Sequence, residues 1–219
     1  MRLALFDLDH TLLDGDSDQL WCDFLIKQGL LDPVIFSAKN DAMARDYKSG
    51  AVDVQAFCEF YIGTLTLRSP QDWEPLRQEF LSEWVVPRLC AGGKAQIQSH
   101  QDNGDRVVMT TATNRFITEL TAAYLGVQDL IATEAEVHQG MFTGRTQGVL
   151  NMREGKVTRL KAWCNAQKLN WEQLETWGYS DSINDLPLLE AVTHATVTQG
   201  DVKLRAEAAK RGWPQIEWF

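Results

Sequence analysis

The sequence predicts an α/β fold: a parallel sheet with helices on both faces, split after its first strand by an all-helical insertion. Three observations predict it. The apolar run Arg2-Leu3-Ala4-Leu5-Phe6 stops abruptly at Asp7-Leu8-Asp9, as a buried strand does at its end. Four helical patterns then follow one another from Asp16 to Val86 with no strand pattern among them. After the Gly92-Gly93 pair, strand and helix patterns alternate to Arg211, the signature of a parallel sheet. Residues 1–15 and 87–219 are thus expected to form the core, and 16–86 a helical cap.

The chain has 219 residues, 44% of them hydrophobic, enough for one large domain or one domain with an insertion. Thirty acidic against 21 basic residues give a net charge of -9, which argues against nucleic acid or an anionic membrane as partner. No apolar segment approaches the roughly 20 residues of a membrane span. Asp7 and Asp9 interrupt the first apolar run too early for a signal peptide, so a cytoplasmic location is expected. Cys22, Cys58, Cys90 and Cys164 have no metal-ligand spacing and read as small buried hydrophobes.

In the insertion, Asp16-Ser17 starts a helix that Gly29 stops, and Pro33 fits the first turn of a second running to Gly50. Asp53 starts a third, with Val54, Phe57, Cys58, Tyr61, Ile62 and Leu65 at helical spacing. Ser69-Pro70 opens a fourth through Trp73, Leu76, Phe80 and Trp84. In the core, a helix from Lys94 to His100 leads to the strand Arg106–Thr111, and a helix from Arg115 to Leu125 to the short strand Leu130–Thr133. Gly140 begins a small hairpin that returns through Gly148-Val149-Leu150. A helix from Glu154, a strand from Glu175 to Ser180, a helix from Ser182 to Glu190, a strand from His194 to Val197 and a helix from Val202 to Arg211 complete the alternation.

Side chains alternate along a strand, so Asp7 and Asp9 project to one side as the first strand ends. Two such carboxylates repel in a dry site unless a proton or cation intervenes. Each candidate also has a plain structural reading. Asp and Thr suit a turn or cap; Thr111 suits a strand; Lys156 suits a solvated helix surface; Ser182 to Asp185 suits a capping box. Those readings leave unexplained why Asp7, Asp9, Thr111 and Asp181 all fall at the carboxyl ends of strands, where open parallel sheets bind ligands. His10, between two such residues, carries no assigned role.

Asp7-Leu8-Asp9-His10-Thr11 (D-x-D-x-T), Thr111 ending a second strand, Lys156 at a helix start and Asp181-Ser182-Ile183-Asn184-Asp185 (D-x-x-x-D) occur in that order. In this order they resemble the haloacid dehalogenase superfamily of phosphatases. The insertion directly after the first motif further resembles its phosphoserine-phosphatase-like branch, which also includes histidinol-phosphate phosphatases. The resemblance covers nearly the whole chain and implies a Rossmann-like core. It implies Asp7 as nucleophile, through a phospho-aspartyl intermediate, and Asp9 as general acid and base. It further implies Thr111 and the Ala112 amide as phosphoryl contacts, Lys156 as the neutralising cation and Asn184 as a further substrate contact. A bound Mg²⁺ would take the Asp7 and Asp181 side chains and the Asp9 main-chain carbonyl, with Asp185 behind them holding water or Lys156.

The substrate expected is a small phosphate monoester. In phosphoserine phosphatases an acidic residue at the place of Asp16 meets the substrate amine, and an arginine in the insertion pairs with its carboxylate. Here the place of that arginine falls on Glu59, with Arg45 and Arg68 as substitutes. An acid there repels a carboxylate and suits an amino-alcohol phosphate without one, such as histidinol phosphate; phosphoserine is the alternative. A phosphotransferase and a non-catalytic phosphate sensor remain as readings of another class.

Overall fold

The computed structural model describes residues 1–49 and 53–219. Its sheet is built on β1 (Arg2–Phe6), in which Leu3, Ala4, Leu5 and Phe6 are fully buried. An apolar run of this kind needs cover on both faces. Leu3 and Leu5 pack with Val108, Ile131, Leu160, Cys164 and Leu188 on one face. Ala4 and Phe6 belong to the larger cluster on the other, with Met109, Ile97 and Ile117.

The other strands are β2 (Arg106–Asn114), β3 (Asp129–His138), β4 (Met141–Gln147), β5 (Glu175–Ser180), β6 (His194–Thr198) and β7 (Gln215–Ile216), in the order β4-β3-β2-β1-β5-β6-β7. All neighbours pair in parallel except β3 and β4. The sheet is thus Rossmann-like, and β1 lies at its centre with β2 and β5 beside it. Register sets Phe6 against Met109 on one side and Tyr179 on the other, so the carboxyl ends of the three strands meet at one place.

Among its described residues the insertion has helices and connecting turns, with no strand: α1 (Ser17–Lys27), α2 (Pro33–Ser49), α3 (Val54–Thr64) and α4 (Pro70–Phe80), then a π-helical turn over Leu81–Val85 and a 3₁₀ turn over Val86–Arg88. Gly50, the expected end of α2, lies outside the described residues. Asp16, Asp53 and Ser69 cap α1, α3 and α4 by accepting from the amides of Gln19, Ala56 and Asp72. The tryptophans have a use here: Trp21 packs edge-on against Trp73 and Phe80, with ring centroids 5.4 and 5.1 Å away. The chain leaves and re-enters the core through a two-stranded stem, with Asp14 N donating to Arg88 O and Cys90 N to Leu12 O.

The core helices are α5 (Ala91–Asp102), α6 (Arg115–Tyr124), α7 (Glu154–Ala166), α8 (Leu186–Ala191) and α9 (Val202–Arg211). Several boundaries differ from the sequence reading. Gly92-Gly93 lies inside the first turn of α5: a Cβ on Gly92 would sit 2.7 Å from Trp218, so the pair permits close packing and marks no break. Thr111 does not end β2, which passes through an irregularity and continues to Asn114, whose side chain caps α6. The short strand at Leu130 is the start of the ten-residue β3. Gln139 and Gly140, both at positive φ, turn β3 into β4, so the hairpin precedes Gly148. A 3₁₀ turn at Ile183–Asp185 comes before α8. Finally, β7 has two residues, too few for a periodic signal.

Candidate active site

Asp7 follows the last residue of β1 and is buried, its amide donating to Tyr179 O on β5. Lys156, in the first turn of α7, reaches it from the other side of the sheet end. Its Nζ donates to Asp7 Oδ1 at 2.7 Å and to Asp185 Oδ2 at 2.6 Å, and the lysine is only 2% exposed. Asp185 also accepts from Ser180 Oγ. The surface reading of Lys156 thus fails, because its ammonium is enclosed between two carboxylates.

The loop before α7 makes this reach possible. Asn151 is buried, and its Nδ2 lies 2.9–3.0 Å from Thr110 Oγ1, Thr111 O and Ile131 O, while its amide donates to Thr133 Oγ1. Arg153 holds a positive φ of 52°, and a Cβ on Gly155 would collide with the Leu150 carbonyl. Asn151 was absent from the sequence reading, since its value lies in acceptors supplied by two other strands.

Thr11, the threonine of the first motif, joins Asp7 to Asp181. Its hydroxyl is 3.3 Å from Asp7 Oδ2 and 3.1 Å from Asp181 Oδ1, and it accepts from the Asp181 amide. Burial pushes the Asp7 carboxyl up to about 7; Lys156 opposes that shift, and Asp185 and Asp9 add to it. Burial, then Asp7 and Asp185, holds Asp181 well above the usual carboxylate range. For Lys156, burial favours the neutral amine, but Asp185 and Asp7 outweigh it and raise its pKa. Two buried carboxylates, Asp7 and Asp185, flank one ammonium, and the half-buried Asp181 joins them through Thr11; the surplus negative charge is one that a divalent cation fits. Among the described residues no three His, Cys, Asp or Glu side chains converge as a ligand cluster. Two carboxylates, Asp7 and Asp181, with backbone and water oxygens suit Mg²⁺ without such a cluster.

Asp9 points toward the insertion. Its Oδ1 accepts from the Ser17 amide at 2.7 Å and from the Ser17 hydroxyl. Its Oδ2 accepts from Thr113 Oγ1 at 2.9 Å and lies 3.3 Å from Thr111 Oγ1. Ser17, Thr113 and the adjacent buried Asp18 are therefore site residues that the sequence reading passed over. A signal existed for the first and last, which belong to a second D-x-D, Asp16-Ser17-Asp18, at the root of the insertion.

Above these groups is a space of about 20 Å³, lined by Asp7, Asp9, His10, Asp16, Phe57, Ala112, Thr113, Asp181 and Ser182. Phe57 is the contribution of α3. A wider cleft of about 530 Å³ shares His10, Asp16, Asp181 and Ser182 with it and is lined also by Asn184. Asp16 thus faces both spaces, and burial, followed by Asp9, pushes its carboxyl up to about 6. Asn184 lies at the cleft and away from the inner space, its Oδ1 accepting a 3.4 Å contact from Arg153 Nε. Glu59 lines neither space; its side chain accepts from Gln55, which also reaches Thr146 on β4. Arg68 lies over the Trp73 ring, and neither it nor Arg45 lines these spaces.

No described helix is long and apolar enough to cross a membrane. The model of the haloacid dehalogenase-like hydrolase family matches residues 4–190. A histidinol-phosphatase of Neisseria meningitidis serogroup C (strain 8013) is 36% identical over 222 residues, covering 99% of both chains. A phosphoserine phosphatase of Lactococcus lactis subsp. lactis (strain IL1403) is 31% identical over 187 residues, 85% of this chain and 78% of its own. A solved protein of unknown function from Bordetella pertussis Tohama I superposes with a TM-score of 0.95 at 40% identity, over 100% of this chain and 99% of its own. A substrate-bound phosphoserine phosphatase complex shares the fold, with a TM-score of 0.70 at 16% identity over 98% of this chain and 92% of its own. The protein therefore belongs to the haloacid dehalogenase-like hydrolase family and is one of its phosphatases.

Proposed function

We propose that the protein is a Mg²⁺-dependent phosphomonoesterase for a small amino-alcohol phosphate of the histidinol phosphate kind, and that it works through a phospho-aspartyl intermediate on Asp7. The observation that carries the reaction class is the buried Asp7–Lys156–Asp185 chain. It keeps a cation against the attacking carboxylate, where an anionic ester is otherwise repelled. Mg²⁺ held by Asp7, Asp181 and the Asp9 main-chain carbonyl would supply the remaining neutralising charge. The Asp7 carboxylate attacks phosphorus and the bond from phosphorus to the alcohol oxygen breaks. Asp9 gives its proton to that oxygen, then takes one from the water that cleaves the acyl phosphate. Thr111 and the Ala112 amide orient the phosphoryl oxygens. The helical segment 16–86 acts as a cap that excludes water during the first step.

The substrate preference is supported by the lining of the inner space, which has Asp7, Asp9, Asp16 and Asp181 and neither Lys nor Arg. A substrate ammonium is favoured there, and a carboxylate meets no Lys or Arg in that inner space. Asp16 is the acid that faces it. The similarity to the meningococcal histidinol-phosphatase supports the same choice. The test is kcat/KM for histidinol phosphate against phosphoserine, with Mg²⁺ and then with chelator. A higher value for histidinol phosphate, abolished by chelation, is expected; a preference for phosphoserine overturns the substrate assignment. Asp7→Asn should keep the fold and stop turnover, and near-wild-type turnover would rule out Asp7 as nucleophile.

A further inference from the structure

Asp18 is difficult to explain as an ordinary helix residue. It lies in the first turn of α1, is 3% exposed, and its Oδ1 is buried without a hydrogen-bond partner. Its other oxygen, Oδ2, is 3.2 Å from Thr113 Oγ1, and Thr113 Oγ1 is 2.9 Å from Asp9 Oδ2. A hydroxyl has one proton and cannot donate to two carboxylates at once. The shorter contact, to Asp9, takes it. The Asp18 contact is then satisfied only if Asp18 is the donor, as a neutral carboxyl with its proton on Oδ2. This also accounts for the lone oxygen, since a neutral carboxyl in an apolar setting is far less costly than an anion there. Burial, with Asp16 and Asp9 nearby, favours the neutral form of Asp18.

We infer that Asp18 and Thr113 are positioning residues for Asp9: a directed chain of hydrogen bonds, Asp18 to Thr113 to Asp9, holds one oxygen of the general acid while Ser17 holds the other. The inference rests on the reading of Asp9 as acid and base. The chain crosses from the insertion, which supplies Asp18 and Ser17, to Thr113 on β2. Asp9 is thereby gripped from both sides, and its rotation is fixed only while the two parts are together. The consequence is specific to protonation of the leaving group. An alkyl ester needs a proton on its departing oxygen, whereas p-nitrophenolate departs without one.

The experiment measures kcat/KM on histidinol phosphate and on p-nitrophenyl phosphate for wild type, Asp9→Asn, Thr113→Val, Asp18→Ala and Asp18→Asn. Each preparation is assayed on both esters, so partial unfolding lowers both rates equally and cancels in the ratio. If wild type prefers phosphoserine, that alkyl ester replaces histidinol phosphate and the test is unchanged. Because general acid catalysis is worth roughly 10²–10⁴-fold, misplacing the acid should cost about tenfold or more on the alkyl ester. Thr113→Val and Asp18→Ala are expected to lose that much on the alkyl ester and no more than about threefold on the aryl one. Asp18→Asn, whose amide can still donate to Thr113, should recover most of the alkyl activity. Equal losses on both esters for Thr113→Val and Asp18→Ala, or an Asn variant no better than the Ala variant, overturn the inference. If Asp9→Asn itself affects both esters equally, the acid assignment fails and the inference with it. If Asp9→Asn discriminates and Thr113→Val does not, only the positioning chain is refuted.

Discussion

The Lys156 ammonium lies 2.7 Å from the Asp7 carboxylate across 149 residues of sequence, with both side chains buried. Asp185 lies at 2.6 Å from the same ammonium. Two buried carboxylates so close together repel each other, and the ammonium between them offsets that repulsion and the cost of burial.

Lys156→Ala should therefore damage both activity and stability. Removing a cation that stabilises transferred charge is expected to lower kcat by about 10²-fold or more. Breaking a buried pair from one side costs roughly 3–5 kcal/mol. For a chain of this size that is on the order of 10 °C in Tm at pH 8. The loss should shrink at pH 5, where Asp7, whose carboxyl burial already raises to about 7, is protonated. Calorimetry at both pH values checks this; an equal loss at both would mean that packing, and not charge, accounts for the lysine's contribution.

Asp16 makes the opposite prediction. Its carboxyl moves from a usual 3.8 to about 6 in the folded protein, so the folded state holds the proton more tightly than the unfolded chain does. Stability from this group is complete below pH 3.8 and is lost as pH rises through about 6. Two pKa units correspond to about 3 kcal/mol. Asp16→Asn keeps the cap on α1, because Asn also accepts from a helix amide. The metal-free variant should melt roughly 6–12 °C above wild type at pH 7.5 and match it near pH 4. In the same variant KM for an amine-bearing ester should rise, which would mark Asp16 as a site acid retained at a cost in stability.

The fold and the Asp7–Lys156–Asp185 group were legible because their signals are local or ordered. An apolar run that ends in two aspartates identifies its own strand end, and the order of the motifs along the chain then picks out Lys156 and the pair Asp181 and Asp185 as its partners. Thr113 was hidden because the strand pattern read from the sequence ended at Thr111, whereas β2 passes through an irregularity and runs on to Asn114. Asn151 and Ser17 were hidden for a different reason: an ordinary polar residue acquires its meaning from partners that only tertiary structure brings to it. On α3 the inner space is met by Phe57, two positions from Glu59, and in a helix two positions turn a side chain to another face.

Metal binding should be visible without any assay of turnover. A cation bound by the folded state alone raises stability by about 2.7 kcal/mol at a hundredfold excess over Kd. Mg²⁺ should raise Tm at pH 8. With the Asp7 carboxyl at about 7, protons compete for the same oxygens, and the gain should fall away below pH 6. Asp181→Asn should blunt the gain at every pH. An undiminished Mg²⁺ shift in that variant would remove Asp181 from the ligand set.

Gly155→Ala tests whether the reach of Lys156 is set by its backbone. The added Cβ would strike the Leu150 carbonyl oxygen, and backbone at that contact has no flexible end to move aside. The turn from Leu150 to Lys156 must then shift, although Asn151 stays tied to β2 and β3 by its side-chain and backbone amides. Displacement is thus directed into the start of α7, where Lys156 is the next residue. A shift near 1 Å in a charge-stabilising group can cost on the order of 10²-fold in rate. The strain itself should cost only about 1–3 kcal/mol, as overpacking usually does. The expected variant is folded at 25 °C but loses kcat well beyond its loss of stability. A variant with wild-type kcat would mean that the lysine's long side chain, and not the glycine turn beneath it, absorbs the placement of the ammonium.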